Sequence, residues 1–170
     1  RRLYRYARGE DHRPVDPDGE TKSISAETTF TVDIQNPQAL QRELWPLCET
    51  VAARLKKQDL AGGTVVLKLK TASFRQLTRS HRLADPTQLA ETIWRVAAPL
   101  VEQAANGEAF RLIGVGCTDL VEGRLADPPD LLDPAPAKRR AVEEAVDAMR
   151  RKLGPDVIAK GRSGLPRRGG

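Results

Sequence analysis

The side chains best equipped for chemistry are cations. From Leu60 to Ala84 there is no Asp or Glu, and Lys68, Lys70, Arg75, Arg79, His81 and Arg82 all fall in that window, with hydroxyls among them at Thr78 and Ser80. Cations, hydroxyls and backbone amides are what phosphate oxygens need. Other chemistries lack their parts. His12 and His81 have no Cys or carboxylate partner at metal-ligand spacing. Cys48 sits one step off a helical apolar stripe and Cys117 on the inward side of a strand, so both read as small buried hydrophobes rather than nucleophiles. Gly114-Val115-Gly116 lies within a strand and lacks the third glycine that would open a helix, so it is not a dinucleotide loop. No catalytic residue and no metal site is expected here.

The chain that must position these cations has 170 residues, 28 Lys and Arg against 23 Asp and Glu, a net charge of +5 and a pI near 9.5. That length suits one domain with extensions, and no apolar run approaches the roughly 20 residues of a membrane span. Two cysteines cannot build a disulfide framework, which points to a reducing, cytoplasmic compartment. The chain opens on Arg1 rather than Met and reads as cut from a longer polypeptide. The surplus of charge is uneven. Residues 22–121 carry twelve basic and ten acidic side chains, and residues 122–170 carry eleven and eight.

Periodicity supplies the elements. Leu3–Arg8 resembles a helix end stopped at Gly9, and residues 11–21, with Pro14, Pro17 and Gly19, have a linker composition. Lys22–Phe30 alternates as a half-buried strand, with Ser23, Ser25, Glu27 and Thr29 on its polar side. Asn36 and Pro37 are a cap and first-turn proline for a helix with a Leu40, Leu44, Leu47, Val51, Leu55 stripe. Pro46 is expected to kink that helix or delay its start, and Gly62-Gly63 to end the segment. Thr64–Thr71 is a strand with Val65, Leu67 and Leu69 on one side and Val66, Lys68 and Lys70 on the other. Phe74–Leu83 is its hairpin partner. Asp85-Pro86 is expected to open a second helix with a Leu89, Ile93, Val96, Leu100 stripe. Phe110–Leu120 is a fourth strand. Residues 122–136 read as a linker, 137–153 as a helix with a Val142, Ala145, Val146, Met149, Leu153 stripe, and 154–170 as a basic flexible tail.

The order β-α-β-β-α-β predicts an α+β two-layer sandwich, in which two helices cover one face of a mostly antiparallel four-stranded sheet. The other face is left open. On it the pattern gathers Lys68 and Lys70 from one strand and Arg75, Thr78, Arg79, Ser80 and Arg82 from its neighbour, beside a third strand stripped of side chains at Gly114 and Gly116. Two readings stand. One is a phosphate-binding face. The other is a solvated face whose Lys and Arg keep an edge from pairing. The same element order fits an RNA-recognition fold, but that fold stacks bases on aromatics of its central strands. Here Phe74 and Phe110 sit at strand starts.

The words of the sequence resemble a known family. KSI (22–24) with ETTF (27–30), TVVLKLKT (64–71), FRQLTRS (74–80) and RLIGVG (111–116) resemble, in order and spacing, the four strands of the little-finger domain of Y-family translesion DNA polymerases of the bacterial polymerase IV type. Residues 3–15 resemble the end of the thumb and its linker. Residues 138–162 resemble the C-terminal extension of some members. The resemblance implies a domain, residues 22–121, that lies across the major groove of primer-template duplex DNA and holds phosphates of both strands. The matching positions are Lys22, Ser23, Lys68, Lys70, Thr78, Arg79, Ser80 and Arg111, although Arg111 falls on the inward parity of its strand. It further implies a monomer attached to an upstream polymerase core, whose palm carboxylates would use Mg²⁺ for nucleotidyl transfer without proofreading. Family members dock on the sliding clamp through a short peptide with two terminal apolar anchors. Pro128-Pro129-Asp130-Leu131-Leu132 is the nearest match, giving Asp130, Leu131 and Leu132 as clamp contacts; it lacks the usual first Gln and carries Leu132 where Phe is common. The alternative is a stand-alone RNA-binding or protein-interaction module.

Overall fold

The computed structural model describes residues 21–129 and 135–154. Strand β1 (Ile24–Ile34) is followed by helix α1 (Pro37–Lys57), strands β2 (Leu60–Thr71) and β3 (Gln76–Thr87), helix α2 (Ala90–Ala104), strand β4 (Phe110–Glu122), a 3₁₀ turn at Gly123–Leu125 and helix α3 (Ala135–Leu153). The sheet order is β1-β4-β2-β3, and every neighbouring pair is antiparallel. The expected α+β sandwich is therefore the observed one. The thumb end and most of the linker at 11–21, Asp130, Leu131 and Leu132, and the tail beyond Gly154 lie outside the described residues.

Alternation decides which face is buried. Val65, Leu67 and Leu69 of β2 and Ile113, Val115 and Cys117 of β4 are at most 2 % exposed. Leu40, Leu44, Trp45, Cys48, Val51 and Leu55 of α1 and Ile93, Ala97 and Val101 of α2 close over them. Trp45 meets Trp94 edge-to-face across the two helices, with ring centroids 6.3 Å apart. Both cysteines are buried, and burial pushes the Cys117 thiol up to about 12 and the Cys48 thiol well above its ordinary value. They are fillers of the core, as expected.

Asn36 caps α1 by accepting from Ala39 N at 3.0 Å, with Pro37 at the first position. The helix runs through Pro46 and its start is not delayed. Gly62-Gly63 does not close the helical segment but lies inside β2, which starts at Leu60. A Cβ on Gly62 would collide with Cys117 Cβ, so only glycine fits there, and the ladder shifts register beside it.

Asp85-Pro86 does not cap α2. Both residues extend β3, an edge strand, where a missing N–H costs no ladder bond. The start of α2 is bonded by one neighbouring hydroxyl and by two carboxylates distant in sequence. Leu89 N donates to Thr87 Oγ1 at 3.1 Å, Gln88 N to Asp127 Oδ2 at 3.0 Å, and Ala90 N to Glu143 Oε1 at 3.1 Å. The buried stripe of α2 is rotated accordingly. Ala90, Ile93, Ala97, Ala98, Val101 and Ala104 are buried, while Val96 and Leu100 are half-buried.

The segment read as a linker after Leu120 is bonded through Asp127. Gly123 N donates to Asp59 O at 2.7 Å and Asp127 N to Pro86 O at 2.8 Å. Helix α3 then turns an unexpected side inward. Of its predicted stripe only Val146 is buried, and Val142, Met149 and Leu153 are exposed. The contact is ionic instead. Lys56 of α1 holds Glu143 at 2.8 Å and Asp147 at 2.7 Å, and Glu49 holds Arg150 at 3.0 Å. What fixes the inward side is the charge that α1 and the start of α2 present, and that charge demands carboxylates at positions 143 and 147.

Candidate nucleic-acid interface

Register sorts the cations. Residues directly opposite in an antiparallel pair share a face. Three rows of side chains therefore cross the open face. Thr29, Leu112, Lys70 and Gln76 make one row; Glu27, Gly114, Lys68 and Thr78 the next; Ser25, Gly116, Val66 and Ser80 the third. Beyond the third row, Thr64 pairs with Thr118 on one side and Arg82 on the other. Lys68, Lys70, Thr78, Ser80 and Arg82 thus converge as expected. Lys22 and Ser23 are exposed just before β1, and Ser23 lines the same surface.

Three expectations need correction. Arg79 stands opposite Leu67 in the ladder, so it shares the face of the buried Leu67 and not that of Lys68. Alternation alone separates Arg79 from Thr78, Ser80 and Arg82. Arg75 lies in the turn before β3 and ion-pairs with Glu108 of the α2–β4 loop, so its charge is already met at the sheet end. Arg111, in contrast, reaches the cations after all. Its neighbours Phe110 and Leu112 pair with the consecutive residues Thr71 and Lys70, so Arg111 is the extra residue of a bulge. The bulge overrides simple alternation. The Arg111 guanidinium carbon lies 4.1 Å from the centre of the Phe74 ring, and Lys70 Nζ lies 5.2 Å from it.

The two glycines of β4 serve the sheet itself. A Cβ on Gly114 would lie 2.9 Å from Glu27 Cβ, and one on Gly116 2.8 Å from Ser25 Cβ. The space they leave is occupied by side chains of β1 rather than held empty for a partner. One result is an ion pair that sequence reasoning missed. Glu27 and Lys68 both register on Gly114, from opposite sides, and with no side chain between them Glu27 Oε2 meets Lys68 Nζ at 2.8 Å. Parity already placed Glu27 on the polar side of β1; the missing signal was the strand order. Ser23, Ser25, Glu27, Val66, Lys68 and the glycines line a shallow depression of about 220 Å³.

The face therefore offers ammonium, guanidinium and hydroxyl groups, with Glu27 the carboxylate among the described residues of the three rows and Asp119 bonded to Thr64 beyond them at 2.6 Å. Its outer strands are edges with unpaired backbone groups. No aromatic ring lies in the middle of the rows. Such a surface can bind a polyanion by its phosphates, contacts that carry no base code. Among the described residues, no group of three or more His, Cys, Asp or Glu could hold a metal ion. Among them, too, no helix is long and apolar enough to cross a membrane.

Comparison with known proteins follows the same lines. Residues 21–127 match the impB/mucB/samB family C-terminal domain. The chain is 49 % identical over 160 residues to DNA polymerase IV 1 of Mesorhizobium japonicum, covering 94 % of this chain and 36 % of that protein. It is 47 % identical over 160 residues to DNA polymerase IV of Brucella melitensis, with the same coverage. The chain thus spans about a third of the length of the curated relatives it matches. Among solved structures, a complex of the beta-clamp processivity factor with the little-finger domain of PolIV superposes with a TM-score of 0.50 at 24 % identity, covering 64 % of this chain and 92 % of that one. A Y-family Dbh–Dpo4 polymerase chimera gives a TM-score of 0.55 at 14 % identity, covering 71 % and 35 %. At these identities the structural likeness speaks for the fold.

Proposed function

The chain belongs to the impB/mucB/samB C-terminal-domain family, the little finger of Y-family DNA polymerases of the polymerase IV type, and from that premise we propose that its open sheet face grips primer-template duplex DNA without regard to sequence. The observation that carries the reading is the convergence of Lys68, Lys70, Thr78, Ser80 and Arg82 on one face, opposite the helices. Dimensions support it. Four strands at ~4.8 Å spacing make a face about 14 Å wide, comparable with the roughly 12 Å major groove. Its two edges can then follow phosphates of both strands. Lys22 and Ser23 serve the β1 edge. Ser80 and Arg82 serve the β3 edge, with Thr78 and Lys68 between. Arg79 contributes from the far side of the edge strand.

The gripping unit runs from residue 21 to Asp127, the last of the described residues hydrogen-bonded to the sheet. In the whole polymerase this unit holds the duplex for a catalytic core, which carries out template-directed deoxynucleotidyl transfer without proofreading in the bacterial cytoplasm, at the nucleoid when engaged. The Mg²⁺ of that reaction is assigned to the core. A little finger that shares this fold is found in complex with a beta-clamp, and clamp docking is part of the same proposal, with Asp130, Leu131 and Leu132 assigned to it by their sequence pattern.

Titrating the chain with labelled primer-template DNA of several unrelated sequences tests the central reading. Affinity at low salt is expected to be similar for all of them. Replacing Lys68, Lys70 and Arg82 with Ala is expected to weaken each by the same factor. A wild-type chain that fails to bind duplex DNA at low salt contradicts the reading, and so does selective loss on one sequence.

A further inference from the structure

Phe74 is the one aromatic side chain among the described residues that is mostly in solvent, at 62 % exposure. It sits in the turn between β2 and β3 with φ +67°, a conformation that a bulky residue enters only under constraint. The constraint is visible. Thr71, itself 2 % exposed, ties the turn together. Its N–H donates to Arg75 O at 2.9 Å, its O accepts from Phe74 N at 2.9 Å, and its Oγ1 accepts from Arg75 N at 3.0 Å. Ala72 N donates across to Ala109 O at 2.9 Å. The turn thus holds an apolar ring largely in water, at a conformational cost, with the Arg111 and Lys70 cations lying over it at 4.1 and 5.2 Å from its centre.

We propose that Phe74, with Arg111 and Lys70, is a stacking platform for an unpaired base of single-stranded DNA. This rests on the reading of the sheet face as a duplex grip. An aromatic face stacks on any base, and neighbouring cations neutralise the phosphates on either side of it. Position selects an unpaired base. Lys70 is in the last row of the open face, and Phe74 lies past the end of β2, off the rows that hold the duplex. A base inside a duplex has both faces covered by its neighbours and cannot present one to the ring. A strand that runs off the end of the duplex can. The platform turns a sequence-independent duplex grip into one that also senses the junction between paired and unpaired template.

The test compares three DNAs built on one duplex: blunt, with a 5′ overhang of ordinary nucleotides, and with an abasic overhang of the same length and charge. The full chain is expected to bind the base-bearing overhang about tenfold tighter than the abasic one. Phe74→Gly removes the ring and also relieves the positive φ, so it carries no new strain. It is expected to erase that preference while leaving blunt-duplex affinity within about twofold. Phe74→Trp is expected to restore the preference. Equal binding of base-bearing and abasic overhangs by the wild-type chain, with duplex binding intact, overturns the platform alone. Uniform weakening of all three DNAs by Phe74→Gly also overturns it. Failure of the wild-type chain to bind any of the three instead contradicts the duplex grip itself.

Discussion

Lys56 and Lys68 each hold a carboxylate at 2.8 Å, on opposite sides of the same sandwich. On the helical side, Lys56 is shared between Glu143 and Asp147, and the Glu143 side chain is 6 % exposed. On the open side, Lys68 and Glu27 are 36 % and 52 % exposed. The chemistry is the same and the consequence differs. In the first, burial disfavours the ammonium, but the hydrogen bonds of Asp147 and Glu143 outweigh it, and Lys56 titrates above its ordinary value. That cluster fastens a helix. The second is a solvated pair, of the kind that contributes ~0–1 kcal/mol. Its lysine can exchange Glu27 for a phosphate at little loss. One face spends its charges on structure, and the other keeps them available.

Breaking the fastened side should give the largest effect. Lys56→Met strands a buried carboxylate, and the loss is expected to be of order 3 kcal/mol, taken up by release of α3. Hydrogen exchange over 138–153 reads that release, while DNA affinity stays unchanged; equal loss of DNA binding would erase the distinction between the faces. The pH dependence follows from the same cluster. A lysine whose folded pKa is raised above 10.5 contributes stability that is complete below that value and fades as pH rises through the folded pKa. The melting-temperature gap between wild type and Lys56→Met is therefore expected to hold from neutral pH to about 9 and to shrink above 10.5.

Crowding the open side comes next. Gly116→Ala pushes a methyl against Ser25 Cβ and the Ile24 carbonyl and is expected to cost about 1–3 kcal/mol by denaturant melting. Neutralising Glu27 is subtler and opposite in sign for function. Glu27→Gln frees Lys68, removes the one carboxylate from the rows and is expected to tighten duplex binding a few-fold while changing stability by under about 1 kcal/mol. The smallest contrast is within one strand. Arg82→Ala is expected to weaken DNA binding more than Arg79→Ala, because only Arg82 shares the face of Lys68. The reverse order would place the grip on the other side of the β3 edge.

These particulars show what sequence carries and what it does not. The inward sides of β2 and β4 were legible from alternation, and Asn36-Pro37 from capping chemistry, because both depend on neighbours within a few residues. The open face was legible as a class for the same reason. What escaped depends on partners distant in sequence. Glu27 needs the strand order to find Lys68. Arg111 needs the bulge opposite Lys70 and Thr71. Asp85-Pro86 carries a strong helix-start signal, but an edge strand absorbs it. The apolar stripe of α3 is real in the sequence, yet the inward side was chosen by Lys56 and the open start of α2, which no pattern within 135–153 encodes. Asp130, Leu131 and Leu132 lie outside the described residues, so the clamp peptide rests on its sequence pattern.

The central claim is that the open face holds DNA by its phosphates, and the salt dependence of binding tests it most directly. If three to five of Lys22, Lys68, Lys70, Arg82 and Arg111 each neutralise one phosphate, log K against log salt is expected to fall with a slope of about −3 to −4.5. Replacing Lys68, Lys70 and Arg82 with Ala should make the slope shallower by about 2.7. A slope near zero, or one that the triple replacement leaves unchanged, would contradict the account.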